Sequence, residues 1–283
     1  MSPVAGITSG TRVFGLLGWP VRHSLSPLMQ TAAFCAAGLD ACYLAFEVAP
    51  ENLEEALRGA ASLGFGGLNV TVPHKRRAFE LAAQKDKSAL LTGAANALVP
   101  CIGGWKAYNT DSTGFLGAVK TELGFDPCGS NAVIFGAGGA ARAAVAGLVE
   151  KGAASVLLAA RDPDRALALA AEFAGRTSRV EAVALDRVPG RVKGGDLVVS
   201  ATPLGLDPLG SWPWAMGEFA PGVVFYDMAY SASSTSLERQ AVAAGFRACS
   251  GRLMLALQGA EAFRLWTGLE PPLARMVESL ETR

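Results

Sequence analysis

The run Gly136-Ala137-Gly138-Gly139-Ala140-Ala141 constrains what this chain can fold into more than any other segment. It follows a short apolar stretch, 132–135, and opens an Ala-rich segment of helical period that reaches Glu150. A G-x-G-x-x-[GA] turn between strand and helix leaves bare backbone N–H groups at a helix N-terminus, where a pyrophosphate can approach without meeting a Cβ. Packing alone also selects such turns, so the next strand matters. About 20 residues further on, enzymes that use NAD carry an acid for the ribose 2′-OH. Here the strand at 155–159 runs into Ala160-Arg161-Asp162, with Arg165 one turn beyond. An arginine fork at that place suits a 2′-phosphate and favours NADP. The competing reading makes Arg161 and Arg165 solvated residues of a helix start, with Asp162 the N-cap before Pro163.

Around this turn the chain reads as α/β. Strands at 155–159, 180–184, 196–200 and 223–227, with a helix at 163–173, predict a doubly wound parallel sheet. A helix at 113–123 and the turn cluster Asp126-Pro127-Cys128-Gly129-Ser130 lead into it. Upstream, strands at 12–18, 41–48 and 67–72 alternate with helices at 27–37, 51–63 and 75–84, and Gly103-Gly104 joins a hairpin of 97–102 and 105–109. Two helices, 253–266 and 271–280, close the chain. With 283 residues, two lobes of ordinary size are expected, with a small-molecule cleft between them.

Charge and cysteine usage narrow the function. The 25 Lys+Arg balance 25 Asp+Glu, and no long basic run provides the footprint of a nucleic-acid or anionic-membrane binder. Cys35, Cys42, Cys101, Cys128 and Cys249 are odd in number and scattered, which suits a reducing, cytoplasmic setting. With His23 and His74 the only histidines, no zinc site is expected. The apolar run 13–21 carries Gly15, Gly18 and Pro20 and no cleavage site follows it, so it reads as a strand and turn; no run of ~18 apolar residues spans a bilayer.

If the second lobe delivers a hydride, the first must hold an acceptor and supply a proton. Asn69 and Thr71 share one face of an otherwise apolar strand that ends at Pro73, His74 and Lys75. Each alone could be a satisfied edge group. A lysine at a helix start sits against the helix dipole and calls for a carboxylate nearby. Asp111, in Tyr108-Asn109-Thr110-Asp111, can supply it, or can be a helix N-cap. In Arg22-His23-Ser24-Leu25-Ser26-Pro27 two hydroxyls stand at a helix start, where a substrate carboxylate can bind; capping by Ser26 is the alternative.

Taken together these segments resemble shikimate dehydrogenase along almost the whole chain. The resemblance rests on His23 to Pro27, Asn69 to Lys75, Gly93-Ala94-Ala95-Asn96-Ala97, Asn109-Thr110-Asp111, Gly136 to Arg142 and Met254-Leu255-Ala256-Leu257-Gln258. It implies a substrate domain at 11–112, a Rossmann-type NADP domain at 113–250 and C-terminal helices, 251–283, that return to the first lobe. It implies NADP(H)-dependent, reversible reduction of 3-dehydroshikimate to shikimate, in aromatic amino acid biosynthesis, by a cytoplasmic monomer or homodimer without a metal. Lys75 and Asp111 become the catalytic pair. Ser24 and Ser26 take the carboxylate; Asn69, Thr71, Asn96, Gln258 and Tyr230 contact substrate. Gly136, Gly138, Gly139, Ala140, Arg161 and Arg165 bind the cofactor, with Thr202, Met228 and Gly251 near its nicotinamide. The nearest alternatives are quinate/shikimate or aminoshikimate dehydrogenases and, in another class, a noncatalytic NADP sensor. Ala160 and Asp162 depart from the usual Asn-Arg-Thr, which predicts weaker or less selective adenosine-phosphate binding. His74 replaces a common Phe, Gln30 a His and Ser200 an Asn; His74 is expected exposed or capped.

Overall fold

The computed structural model describes residues 6–176, 178–205, 212–230 and 234–281. It divides into two compact units, one reaching to Gly114 and resuming at Leu255, the other running from Phe115 to Met254.

The first unit runs β1 (Arg12–Gly18), α1 (Ser26–Ala36), β2 (Ala41–Glu47), α2 (Leu53–Ser62), β3 (Gly67–Val70), α3 (Lys75–Leu81), β4 (Gln84–Lys85), α4 (Lys87–Thr92), β5 (Ala97–Cys101) and β6 (Gly104–Tyr108), and α5 (Asp111–Leu123) leads out of it. Its sheet has the order β2-β1-β3-β5-β6-β4. β3 pairs in parallel with β1 and antiparallel with β5, and all four of its residues are buried, so Asn69 lies in a central strand and not on an edge. α2 buries Leu53, Leu57 and Ala60, the i, i+4, i+7 stripe of a helix lying on a core.

Several local expectations shift. The strand expected to reach residue 72 ends at Val70, although the Thr71 amide still donates to Leu17. Ser26 does not cap α1: Leu25 holds the N-cap position with no side-chain bond, and Ser24 Oγ accepts from the Ser26 amide at 3.2 Å. Asp111 is the first residue of α5, and the cap comes from Asn109, whose Oδ1 accepts from the amides of Asp111 (3.1 Å) and Ser112 (3.4 Å). The helix expected over 75–84 stops at Leu81, and Gln84–Lys85 pairs with β6 instead.

The second unit runs β7 (Asn131–Phe135), α6 (Gly139–Glu150), β8 (Ser155–Ala159), α7 (Pro163–Glu172), β9 (Arg179–Ala182), β10 (Leu197–Ser200), β11 (Val224–Asp227), α8 (Ser236–Ala243) and β12 (Arg247–Ser250). Its strands are all parallel in the order β12-β11-β10-β7-β8-β9, the doubly wound arrangement whose strand order reverses between β7 and β10. α6 buries Ala141, Ala143, Ala144 and Ala146, small residues that let a helix lie close on parallel strands. Gly136 ends β7 at φ +123°, and a Cβ there would come 2.9 Å from the Ala201 carbonyl oxygen beyond β10, so only glycine allows the two strand ends to meet.

The chain closes with α9 (Arg252–Thr267) and α10 (Leu273–Glu281). α9 lies on the first unit's sheet: Trp266 Nε1 donates to the Leu98 carbonyl at 3.1 Å and its ring sits 5.4 Å from that of Phe14. Gly67 makes room for it, because a Cβ would come within 2.2 Å of the indole. α10 packs on α1. Among the described residues, no helix is long and apolar enough to cross a membrane.

Candidate active site

The polar residues of the first unit gather where the chain leaves β1, β3 and β6. The Trp19 amide donates to Val72 and the Thr71 amide to Leu17, so the segments carrying Ser24, Ser26, Thr71 and Lys75 depart from one edge of the sheet. Lys75 opens α3, the helix end that disfavours a cation, and its Nζ lies 2.7 Å from Asp111 Oδ2. Both side chains are mostly sheltered, at 18% and 10% exposure, which strengthens their attraction over that of a surface pair.

Asp111 is itself fixed. Asn96 Nδ2 lies within 2.9 Å of Asp111 Oδ1 and of Thr110 Oγ1, and 3.2 Å from Gln258 Oε1, while Asn96 Oδ1 accepts the Thr110 amide at 2.7 Å. Two N–H groups thus serve three acceptors, and a ring hydroxyl would have to displace one of them. Gln258 donates from Nε2 to the Leu255 carbonyl at 2.9 Å, which orients its amide. Asn69 donates to the Asn96 carbonyl at 2.9 Å and accepts from the Tyr43 hydroxyl at 2.7 Å. Ser26 is buried, while Ser24, Thr71 and Lys75 remain half-buried. Buried Gln30 on α1 donates to the Gly259 carbonyl at 2.9 Å, tying the Ser26 helix to the neighbour of Gln258.

Sequence reasoning missed Tyr43, Asn109 and Thr110. The signal for Tyr43 was present, because a tyrosine inside an apolar strand needs a partner for its hydroxyl. His74 is not exposed: it is 2% accessible, and its Nε2 lies 2.8 Å from the Val48 carbonyl. A carbonyl only accepts, so Nε2 carries the proton. Burial pushes this histidine's pKa below its ordinary value, against the pull of the Val48 carbonyl.

In the second unit the carboxyl ends of β7, β10, β11 and β12 place Gly136, Thr202, Met228 and Gly251 at one end of one sheet. The Met228 amide donates to Ser200 and the Gly251 amide to Ala229, linking these ends directly. Tyr230 lies here as well, half-buried beyond β11, apart in the chain from the other expected substrate residues. Gly138 is the N-cap of α6 without a side-chain bond, and a Cβ on it would meet nothing within 4 Å. The first amides of this helix, at Gly139 and Ala140, have no side-chain cap, and with open space beside Gly138 the turn fits an anionic diphosphate. Arg161 and Arg165 are exposed and make no ion pair among the described residues. Asp162 caps α7, its Oδ1 accepting the amides of Asp164 (3.1 Å) and Arg165 (3.3 Å). Asp227 is fully buried at the end of β11; Oδ1 accepts the Ala229 amide at 3.1 Å and Oδ2 has no partner among the described residues. Burial lifts its carboxyl to about 6, against the pull of the Thr235 and Ser200 hydroxyls and the Ala229 amide.

Comparison with known proteins follows the same division. The shikimate dehydrogenase substrate binding domain model matches residues 16–98, the shikimate / quinate 5-dehydrogenase model 119–204, and the shikimate 5'-dehydrogenase C-terminal domain model 251–281. The chain is 43% identical over 285 residues to the shikimate dehydrogenase (NADP(+)) of Methanopyrus kandleri, covering 99% of this chain and 98% of that one. A shikimate dehydrogenase solved with NADP+ superimposes at TM-score 0.86 and 37% identity, covering 97% of this chain and 96% of the other. The Thermus thermophilus shikimate 5-dehydrogenase solved with NADP(H) and shikimate gives 0.84 and 38%, covering 95% and 98%.

Proposed function

The chain belongs to the shikimate dehydrogenase family, and from that premise we propose that it catalyses the reversible, NADP(H)-dependent interconversion of 3-dehydroshikimate and shikimate. The observation that carries this reading is the Lys75–Asp111 pair, 2.7 Å apart and held by Asn96 within the first unit. NADPH, when bound, supplies the hydride that reduces the ring ketone. As the carbonyl oxygen gains negative charge, the Lys75 ammonium stabilises it and transfers a proton from Nζ. Asp111 holds that ammonium in place. Ser24 and Ser26 receive the carboxylate; Asn69, Thr71, Asn96 and Gln258 read the hydroxyls, and Tyr230 is a further substrate contact. The α6 amides behind Gly138 hold the diphosphate, Arg161 and Arg165 the 2′-phosphate, and Thr202, Met228 and Gly251 flank the nicotinamide.

Residues 11–112 and 251–283 form the substrate domain in this reading and 113–250 the cofactor domain. The enzyme works in the cytoplasm as a monomer or homodimer, in aromatic amino acid biosynthesis, and its five free thiols suit that compartment. The test is absorbance at the reduced-nicotinamide band with shikimate or quinate, each offered with NADP or NAD. Shikimate with NADP should give at least about tenfold higher kcat/KM than either quinate with NADP or shikimate with NAD. Comparable values for the two acids would make this a dual-specificity enzyme, and equal use of NAD would remove the role given to Arg161.

A further inference from the structure

Tyr43 is 2% exposed in β2, two strands away from β3, yet its hydroxyl reaches Asn69 Oδ1 at 2.7 Å. An asparagine amide can be held either way round, and its neighbours decide which. On the other side of Asn69 lies the Asn96 carbonyl, 2.9 Å from Nδ2, which already accepts the Val70 amide and can only accept. That carbonyl forces Nδ2 toward itself and Oδ1 toward Tyr43. The phenol must then donate. Burial pushes its pKa well above the ordinary tyrosine value, so the proton stays on. With Oδ1 engaged and one N–H spent on Asn96, Asn69 keeps one N–H to offer.

We propose that Tyr43 is a positioning residue for substrate recognition: it locks the Asn69 amide so that Asn69 serves the substrate as a hydrogen-bond donor to the oxygen of a ring hydroxyl. The proposal rests on the shikimate reading above and adds a residue that touches no substrate. Its polarity matters, because Asp111 across the Asn96 bridge is an acceptor. A hydroxyl that donates to a carboxylate and accepts from an amide satisfies both, whereas an amide turned the other way would set two acceptors against each other.

The experiment is a double-mutant cycle in KM for shikimate. Tyr43→Phe keeps the ring and removes the donor, and it should raise that KM at least fivefold while kcat and the KM for NADP stay within twofold. Introduced into Asn69→Ala, the same change should do nothing more, because its route runs through the amide. An unchanged KM in Tyr43→Phe, or an equal penalty in both backgrounds, would overturn the proposal, the latter by showing that the hydroxyl acts through packing. Asn69→Asp tests the donor role without touching Tyr43: it keeps the bond from the phenol but has no N–H, and its KM should rise at least as far as that of Asn69→Ala. A KM like that of the unmutated protein would overturn the donor assignment. Absence of shikimate oxidation by the unmutated protein would instead remove the reading beneath it, an outcome visible before any variant is made.

Discussion

The polar cluster around Lys75 and the strand ends of the second unit are held in different ways. Around Lys75, every amide and carboxylate of the cluster has a partner inside the first unit: Asp111 takes Lys75 and Asn96, Asn96 takes Thr110, and Asn69 takes Tyr43. At the strand ends of the second unit, one Asp227 oxygen and the Tyr226 hydroxyl are buried without a hydrogen bond among the described residues, as Gln30 Oε1 and Ser112 Oγ, outside the Lys75 cluster, are in the first, and the start of α6 carries no side-chain cap. A closed network fixes each side chain before a ligand arrives, which suits a proton donor that must meet a charge developing only in the transition state. An open helix end draws its partner from outside, which suits an exchangeable anionic cofactor.

The largest effect expected from this contrast is catalytic. Lys75→Ala should lower kcat about a hundredfold to a thousandfold while KM for shikimate changes less than about tenfold, since the lost interaction is strongest in the transition state. Steady-state kinetics with circular dichroism as a folding control would check it. Near-normal turnover with lost affinity would make Lys75 a binding residue and break the contrast at its centre.

Next comes stability on the cofactor side. The Asp227 carboxyl rises from 3.8 to about 6 on burial, so the folded state holds its proton more tightly than the unfolded chain. Its contribution is complete below the unfolded value and is lost as pH rises through about 6. The change between pH 3.8 and 6 is on the order of 3 kcal/mol. Asp227→Asn should flatten the fall in stability of the second unit across that window, measured by hydrogen exchange of β10 and β11. Parallel profiles would show the carboxyl to be relieved by water.

A smaller effect belongs to Arg161. Its guanidinium is exposed and unpaired among the described residues, so Arg161→Ala should leave folding unchanged and raise the KM for NADP roughly tenfold to a hundredfold, with little change in kcat. An unchanged NADP/NAD ratio would move phosphate selection to Arg165.

What the sequence disclosed follows from how local each feature is. β1 and β8 match their expected bounds, and the α6 turn was placed to the residue, because long apolar runs and a glycine turn report their own conformation. The helix Lys87–Thr92 was not seen: six residues carry no period, and it is set by the Asp86 cap and by Gly93 at φ +61°. α8 and β12 were also missed, for β12 is a polar edge strand, Arg247–Ser250, paired on one side only. In the site, Lys75 and Asp111 were legible because a lysine at a helix start asks for an acid. Tyr43 showed only as a hydroxyl in need of a partner inside an apolar strand; that the partner is Asn69 on β3 is a contact no local pattern encodes.

His74 is the smallest of the tests and the sharpest on the closed side, because its pH dependence has the opposite sign to that of Asp227. Its buried ring is held by the Val48 carbonyl, and burial lowers its pKa from the ordinary 6.5. The folded state therefore prefers the neutral ring. The stability it contributes is present above 6.5 and is lost as pH falls through the folded value, whereas the Asp227 contribution grows as pH falls. His74→Phe removes the titration but also the bond to Val48, so the variant should be less stable at every pH while its profile below 6.5 becomes flatter than that of the unmutated chain. Hydrogen exchange of β3 and α3 across that range reads the slope of this unit separately from the other. A constant offset, with the two profiles parallel below pH 6.5, would show that a charged His74 keeps its place against Val48 and that the first unit tolerates a buried charge as the second does not.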